Sequence, residues 1–325
     1  MEKKRPVEAL EHLVFIEEKD PTDVHNIKQI GYVLESLGRQ TEAYIEFEKA
    51  FEQASTHEEK EKIYKSLANL YTFRTKVLPS PFFADLYYSP LYENRFENTI
   101  NTLNARLGVV VESTHEWEVY LGTRFNKDKK SIGGSAPAIY SDNAVIYALG
   151  MSVKPVIEIP VKFYIEAGYG HDVTPRNRPP NQKDFRWGAN FFQNWGATPV
   201  YSDGISFPFK HVGDTQGDMS YYTRYNNNWI GTFRLREGLR VMTYKSASID
   251  LYAKGQFLFD TNKEFYNNLY ELGPGIALQP TNLVNFIIRA ERIWGRYIKV
   301  NSSSPNPYGK KYHAVSILAE FYIRM

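Results

Sequence analysis

Residues 82–325 alternate apolar and polar side chains in long stretches, and this pattern limits the chain to few folds. The alternation, together with the abundance of Tyr, Phe and Val, predicts about 12 strands, many of them roughly 10 to 14 residues long. Strands in globular proteins average about 5 or 6 residues, whereas a strand that crosses a bilayer at a tilt needs about 9 to 11. The lengths therefore favour an antiparallel transmembrane β-barrel.

The predicted strands follow one another closely along the chain. They are 82–96, 99–112, 117–126, 144–154, 161–171, 185–197, 218–229, 231–243, 248–260, 269–279, 283–298 and 312–325. Outer-membrane barrels have short periplasmic turns and longer outer loops. If the last strand runs toward the periplasm, the short and long connections fall on the expected sides. The segment 198–218 is the exception, because it is long and falls on the short-turn side, and it would contain either a missed pair of strands or a periplasmic plug segment.

The end of the chain, HAVSILAEFYIRM, has an apolar residue at every second position. The last apolar positions are Phe321, Ile323 and Met325. The residues of the opposite face are Glu320, Tyr322 and Arg324. Bacterial barrels commonly end on such a strand, which the insertion machinery reads, and this tail resembles that signal although it ends on Met rather than Phe. We expect the first set to face lipid and the second to face the lumen.

The sequence FRLREGLR places Arg234 and Arg236 on one face of a predicted strand. In a barrel lumen, these guanidinium groups would attract anionic solutes or sugar carboxylates. If this strand instead lies at a solvated edge, the two arginines would be ordinary solvent-exposed basic residues. Both interpretations stay open from the sequence alone.

Residues 1–78 have a different period, with apolar residues three and four apart, and they predict helices. Pro79 and Pro81 would stop a helix, because proline lacks the backbone donor and clashes with the preceding turn. The chain therefore divides into a helical domain, residues 1–78, and a barrel domain, residues 79–325. The fold class is α + β.

The helical half resembles tetratricopeptide repeats, in which small residues let paired helices approach and large ones fill the space between them. The residues in the matching positions are Ile27, Ile30, Gly31, Leu34, Gly38, Ala43, Phe47 and Ala50, and in a second copy Leu67, Ala68 and Tyr71. About three such repeats are usually needed for stability, and roughly two occur here. We therefore expect the chain to be the C-terminal part of a longer protein, which would also account for the missing signal peptide.

Composition excludes several functional classes. The chain has 39 basic and 37 acidic residues, so its charge gives no reason to expect a nucleic-acid partner. It has no cysteine, and neither a nucleophile motif nor a metal-ligand spacing of histidines occurs. We expect no enzymatic activity, no metal and no cofactor.

Helical repeats followed by a barrel resemble a group of Gram-negative outer-membrane proteins. The group includes the export subunits for poly-N-acetylglucosamine and cellulose and a phage-adsorption protein. The closest likeness, to the phage-adsorption type, lies in NLYELGPGIALQPTNLVNFIIRAERIWGRYI and NPYGKKYHAVSILAEFYIRM.

The resemblance implies a barrel in outer-membrane lipid and periplasmic repeats that bind periplasmic or inner-membrane proteins. It also implies an exported polysaccharide, or outer loops that act as a receptor. About 12 strands would leave a narrower lumen than the 16 or more of the exporters, since diameter grows with strand number. The alternative is a soluble or surface carbohydrate-binding β-domain with helical adaptor repeats.

Overall fold

The structure is a computed structural model that describes residues 4–37, 39–74, 81–112, 115–133, 141–156, 159–196, 202–280, 285–298, 306 and 309–325. The helices are α1 (Lys4–Lys19), α2 (Val24–Ser36), α3 (Gln40–Gln53) and α4 (His57–Arg74). The strands are β1 (Phe82–Glu93), β2 (Asn98–Glu112), β3 (Trp117–Asp128), β4 (Ala144–Val153), β5 (Val161–Asp172), β6 (Asn181–Trp195), β7 (Ser202–Ser206), β8 (Lys210–Tyr222), β9 (Asn228–Lys245), β10 (Ala247–Asp260), β11 (Leu269–Gln279), β12 (Asn285–Tyr297) and β13 (Lys311–Arg324). A short 3-10 helix, Phe265–Asn267, lies between β10 and β11.

All the strands except β7 form one closed antiparallel barrel of 12 strands in chain order, in which β13 pairs with β1. Closure places Asp85 of β1 opposite Arg324 of β13, so the two ends of the barrel domain lie side by side. The prediction of an antiparallel barrel with about 12 strands is confirmed. Closure also leaves the barrel strands without an open sheet edge along most of their length.

The segment 198–218 was wrongly predicted as one long connection, because β8 begins at Lys210 and β7 lies before it. Two glycines of β8, Gly213 and Gly217, make room for aromatic rings of β6: a Cβ on Gly213 would lie 2.5 Å from the Trp195 ring, and Gly217 lies under Phe191.

Strand β7 lies outside the barrel and pairs with the last residues of β9. Lys210, the first residue of β8, lies opposite Arg240, so β9 continues to Lys245 beyond its partner. Ser202 pairs with Lys245 there. The short strand thus covers an edge that would otherwise present unpaired backbone groups.

The barrel distributes its side chains in the reverse of the usual soluble pattern. Large apolar residues are exposed on the outward face of its strands, including Leu107, Leu121, Tyr147, Leu149, Ile165, Trp187, Phe233, Leu251, Leu272, Ile276 and Ile317. Ionisable residues are buried on the inward face, including Asp85, Glu118, Glu166, Arg186, Arg236, Lys254, Glu271 and Glu291. A water-soluble domain buries its apolar side chains instead.

Of the helical residues matched to the repeat pattern, Ile27, Ile30, Leu34, Ala43, Phe47, Ala50 and Leu67 lie in one buried core. Gly31 lets α2 approach α3, since a Cβ there would lie 2.8 Å from the Phe47 ring. Gly38 and the side chains of Ala68 and Tyr71 lie outside the described residues. The identity of the helices as tetratricopeptide repeats stays a prediction. Within the described part of the chain, no helix is long and apolar enough to span a membrane.

Candidate functional site in the barrel interior

The inward faces of the barrel strands carry a dense set of paired charges, and the residues singled out in the sequence lie among them. Arg236 is only 2% exposed, and Arg234, Glu320, Tyr322 and Arg324 are partly buried. Arg236 Nε lies 3.0 Å from Glu291, and Arg324 Nη2 lies 2.7 Å from Glu118. These side chains therefore belong to the interior and already have partners within the barrel.

Three rows of the same composition cross three consecutive strands inside the barrel. They are Tyr120–Gly150–Glu166, Tyr252–Gly275–Glu291 and Tyr312–Gly295–Glu271, each in direct register. In each row the tyrosine hydroxyl donates a hydrogen bond to the carboxylate two strands away, at 2.9, 3.0 and 2.7 Å respectively. Each row thereby holds one carboxylate in a fixed position on the inner surface.

The glycine in the middle of each row makes room for the tyrosine ring. A Cβ on Gly150 or Gly275 would lie 2.5 Å from the ring that crosses it. Such a contact is shorter than van der Waals packing permits. The missing side chain lets the ring lie flat over the middle strand, so that its hydroxyl reaches the third strand.

Glu291 has three hydrogen-bonding partners inside the barrel. It accepts hydrogen bonds from Arg236 at 3.0 Å, from the Tyr252 hydroxyl at 3.0 Å and from Lys254 at 2.9 Å. Lys254 also reaches Glu271 at 3.2 Å. Lys254 thus bridges Glu291 and Glu271, and Arg236 adds a second cation at Glu291, which offsets much of the desolvation of the buried charges.

Other ion pairs cross the lumen between strands that are not neighbours. Arg289 of β12 lies 3.5 Å from Asp214 of β8, four strands away around the barrel. Arg234 of β9 lies 3.7 Å from Glu320 of β13, also four strands away. These bridges span about a third of the circumference of a barrel of 12 strands. They divide the lumen at their height and narrow any path through it.

A second cluster lies on the opposite side of the interior. Arg124 and Arg186 lie 2.8 and 3.3 Å from the carboxylate of Glu166, and Arg186 also pairs with Asp184. The Tyr120 hydroxyl reaches the same carboxylate. Cations and carboxylates therefore alternate here as they do around Glu291, and no large field of one sign develops.

A third cluster ties the last strand to the barrel wall. Glu118 of β3 receives Arg324 at 2.7 Å and Lys162 of β5 at 3.1 Å, and Arg106 of β2 pairs with Asp85 of β1. These contacts join β13 to β1, β2, β3 and β5. The C-terminal strand is therefore fixed by ion pairs inside the barrel as well as by its backbone ladder.

The loop between β8 and β9 adds a cluster at one mouth of the barrel. Arg224 lies 3.3 Å from Asp142 and also pairs with Asp172. Burial would lower the pKa of the Arg224 guanidinium, but the nearby negative charges of Asp142 and Asp172 raise it above its ordinary value. Arg224 therefore stays charged and holds the loops together across the mouth.

The predicted terminal signal residues occupy the end of β13. Phe321 and Ile323 lie opposite Tyr88 and Leu86 of β1, on the outward face. Met325 follows the strand and exchanges two backbone hydrogen bonds with Ala84, at 2.8 and 3.0 Å. All three side chains are half-buried. That the barrel-insertion machinery recognises these residues stays a prediction.

The rows of Tyr, Gly and Glu were missed in the sequence, because they depend on register between residues as many as 46 positions apart, as for Tyr120 and Glu166. The signal that could have found them is an inward-facing glycine with an inward-facing tyrosine on one neighbouring strand. In the part of the chain that the structure describes, no group of His, Asp or Glu is arranged to hold a metal ion.

No protein-family model matches the sequence, and no curated protein matches it significantly. Among solved structures, the chain is similar to the β domain of the Bordetella autotransporter BrkA, at 9% identity over 74% of this chain and 98% of that one, with a TM-score of 0.32. The NanC porin matches at 9% identity over 73% and 98%, with a TM-score of 0.31. A bacterial polysaccharide outer membrane secretin matches at 9% identity over 76% and 99%, with a TM-score of 0.33.

Proposed function

We propose that the barrel spans the outer membrane of a Gram-negative bacterium and holds the helical domain in the periplasm. We further propose that it serves as an anchor and scaffold in the export or display of a surface polysaccharide. The observation that carries the proposal is the inverted side-chain distribution, with apolar residues outside and paired charges inside. Lipid is the surrounding that satisfies such an outer surface.

The outer wall, meaning the outward-facing side chains of the barrel strands, is too apolar for contact with water. Leu121 and Leu149 lie opposite each other on β3 and β4 and are 64% and 58% exposed. Similar residues continue on β9, β10 and β11. Monomeric soluble proteins rarely expose apolar patches larger than a few hundred Å². A soluble carbohydrate-binding domain would need an apolar core, which the charged interior does not provide.

The two ends of the barrel differ in their connections. At the short-turn end, a single residue, Ser246, joins β9 to β10, and residues 280–284 join β11 to β12. At the long-loop end, residues 129–143 and 298–310 form the longest connections. The exception is the connection 196–209 at the short-turn end, which is of similar length and contains β7. The helices enter β1 at the short-turn end. The usual sidedness of outer-membrane barrels therefore puts the helices in the periplasm.

The lumen favours the role of a scaffold over that of a wide conduit. The bridges from Arg234 to Glu320 and from Arg289 to Asp214 cross it, and breaking buried pairs costs several kcal/mol. A polymer would have to displace them. The polysaccharide role itself is supported by the order of helical repeats and barrel, which resembles that of export subunits, and the receptor role by the loops of the long-loop end.

The test is deletion of the gene in its bacterium, followed by complementation. We expect loss of surface polysaccharide, and its recovery with the intact gene. Phe47→Asp should fail to restore it, because the charge disrupts the helical core, while the barrel still assembles and migrates differently on a gel before and after boiling. Glu48→Asp, on the exposed face of the same helix, is the matched control and should restore it. Unchanged polysaccharide in the deletion strain would contradict the scaffold role.

A further inference from the structure

Arg292 interrupts the apolar outer wall on β12. The preceding outward residues, Phe286, Ile288 and Ala290, are apolar, and Arg292 then stands exposed on the same face. An arginine at the middle of a bilayer costs about 2–4 kcal/mol. The position of Arg292 along the strand and the groups around it show how this free-energy cost is reduced.

The outward-facing residue pairs between β12 and β13 become more polar toward the long-loop end. Arg292 lies opposite Val315, the last apolar residue of the wall on β13. In the next outward-facing pair Trp294 lies opposite His313, and in the one after that Arg296 lies opposite Lys311. The wall therefore passes from apolar to aromatic to cationic, as expected where the hydrocarbon layer gives way to headgroups.

The guanidinium group of Arg292 is directed toward the headgroup level. It lies 6.0 Å from the centre of the Trp294 ring, which is the next outward residue toward the long-loop end. A long basic side chain near an interface buries its stem in the apolar layer and carries its charge to the polar boundary. Arg292 can in this way carry its charge past Trp294 toward Arg296 and Lys311.

The resulting charge is not neutralised by the protein. Residues 292–319 contain five Lys and Arg and no Asp or Glu. The acidic residues of β11, β12 and β13 are Glu271, Glu291 and Glu320, and all three face inward. In the described part of the chain, no ion pair involves Arg292, Arg296 or Lys311. Like charges directly opposite each other on neighbouring strands are unfavourable unless an anion lies between them.

We propose that Arg292, Arg296 and Lys311 bind the phosphate groups of a phosphorylated glycolipid in the outer leaflet, with Trp294 packed at the boundary between its sugar and its acyl chains. Arginine donates paired hydrogen bonds to phosphate, and lysine adds a point charge. The site rests on the proposed membrane-spanning role, because this part of the wall meets lipid headgroups only if the barrel spans the membrane.

The test compares lipid binding by the purified full-length chain and two sets of variants. The triple variant Arg292→Gln, Arg296→Gln, Lys311→Gln removes the patch. The control variant Lys127→Gln, Lys183→Gln removes two exposed outward lysines on β3 and β6 at the same end of the barrel. The probes are lipid A, lipid A without its phosphates, and inorganic phosphate, each titrated into detergent-solubilised protein and followed by native mass spectrometry.

We expect the wild type and the control variant to bind lipid A with affinities within twofold of each other. The triple variant should bind at least tenfold more weakly. Lipid A without phosphates should bind the wild type as weakly as lipid A binds the triple variant. Equal binding by wild type and triple variant would overturn the proposal, and so would saturation of the site by inorganic phosphate at the concentrations at which lipid A binds.

Failure of this inference is distinguishable from failure of the membrane role. If all the variants assemble into barrels whose mobility shifts on boiling but bind lipid A equally, the lipid site alone is wrong. If the wild type does not assemble in the outer membrane, the proposed function is wrong, and the lipid site is overturned with it.

Discussion

Replacing Glu291 with alanine is expected to lower the free energy of unfolding of the barrel by about 3–5 kcal/mol, because it leaves buried cations without a counter-charge. Arg236 and Lys254 both donate to Glu291, and the Tyr252 hydroxyl donates to it as well. Lys254 keeps Glu271, whereas Arg236 keeps only a 3.5 Å contact with Asp214 and a 3.9 Å contact with Glu320. The loss should be measured by urea unfolding in lipid vesicles.

The matched control for Glu291→Ala is Glu97→Ala. Glu97 also pairs with a lysine, Lys130, at 3.2 Å, but its side chain is 79% exposed. Exposed pairs contribute about 0–1 kcal/mol, so this variant should unfold almost as the wild type does. If Glu291→Ala lowered the free energy of unfolding by less than about 1 kcal/mol, water would have to solvate Arg236 and Lys254 in the variant. That result would contradict a tightly packed interior.

Replacing Leu149 with arginine is expected to destabilise the barrel by about 2–4 kcal/mol in lipid vesicles. Leu149 lies near the middle of β4 on the outer wall, opposite Leu121. An arginine there must either leave its charge in the hydrocarbon layer or thin the bilayer around it. The variant should also assemble poorly in the outer membrane, which fractionation measures directly.

Ile132→Arg is the control that separates a lipid-facing wall from a merely exposed one. Ile132 lies in the loop after β3 and is 67% exposed, slightly more than Leu149 at 58%. In water, both substitutions would be nearly neutral, since surface changes usually stay within about 0.5 kcal/mol. Equal and small effects at the two positions would therefore contradict a wall that faces lipid.

The barrel was predictable from the sequence, because alternation with period two records which face of each strand is apolar. The strand around Leu149 and the terminal strand with Phe321 were both placed in this way. The start of β8 was not, because Gly213 and Gly217 interrupt the apolar alternation there. Their role depends on the rings of Trp195 and Phe191 on the neighbouring strand.

The interior was predictable only in part. Alternation placed Arg234 and Arg236 on one face, but it could not give their partners. Glu320 lies far from Arg234 in sequence and four strands away in the barrel, and Glu291 meets Arg236 only through the register of the strands between them. Such pairs follow from how the barrel closes, which local sequence does not record.

The proposed sidedness of the barrel in the outer membrane is tested most directly by cysteine labelling, since the chain has no cysteine of its own. Ile132→Cys at the long-loop end and Glu11→Cys on α1 would be expressed separately, behind a signal peptide, and treated with a membrane-impermeant maleimide. In intact cells we expect labelling of Ile132→Cys alone, and in permeabilised cells labelling of both. Labelling of Glu11→Cys in intact cells, or of neither until permeabilisation, would contradict a barrel that spans the outer membrane with its helices in the periplasm.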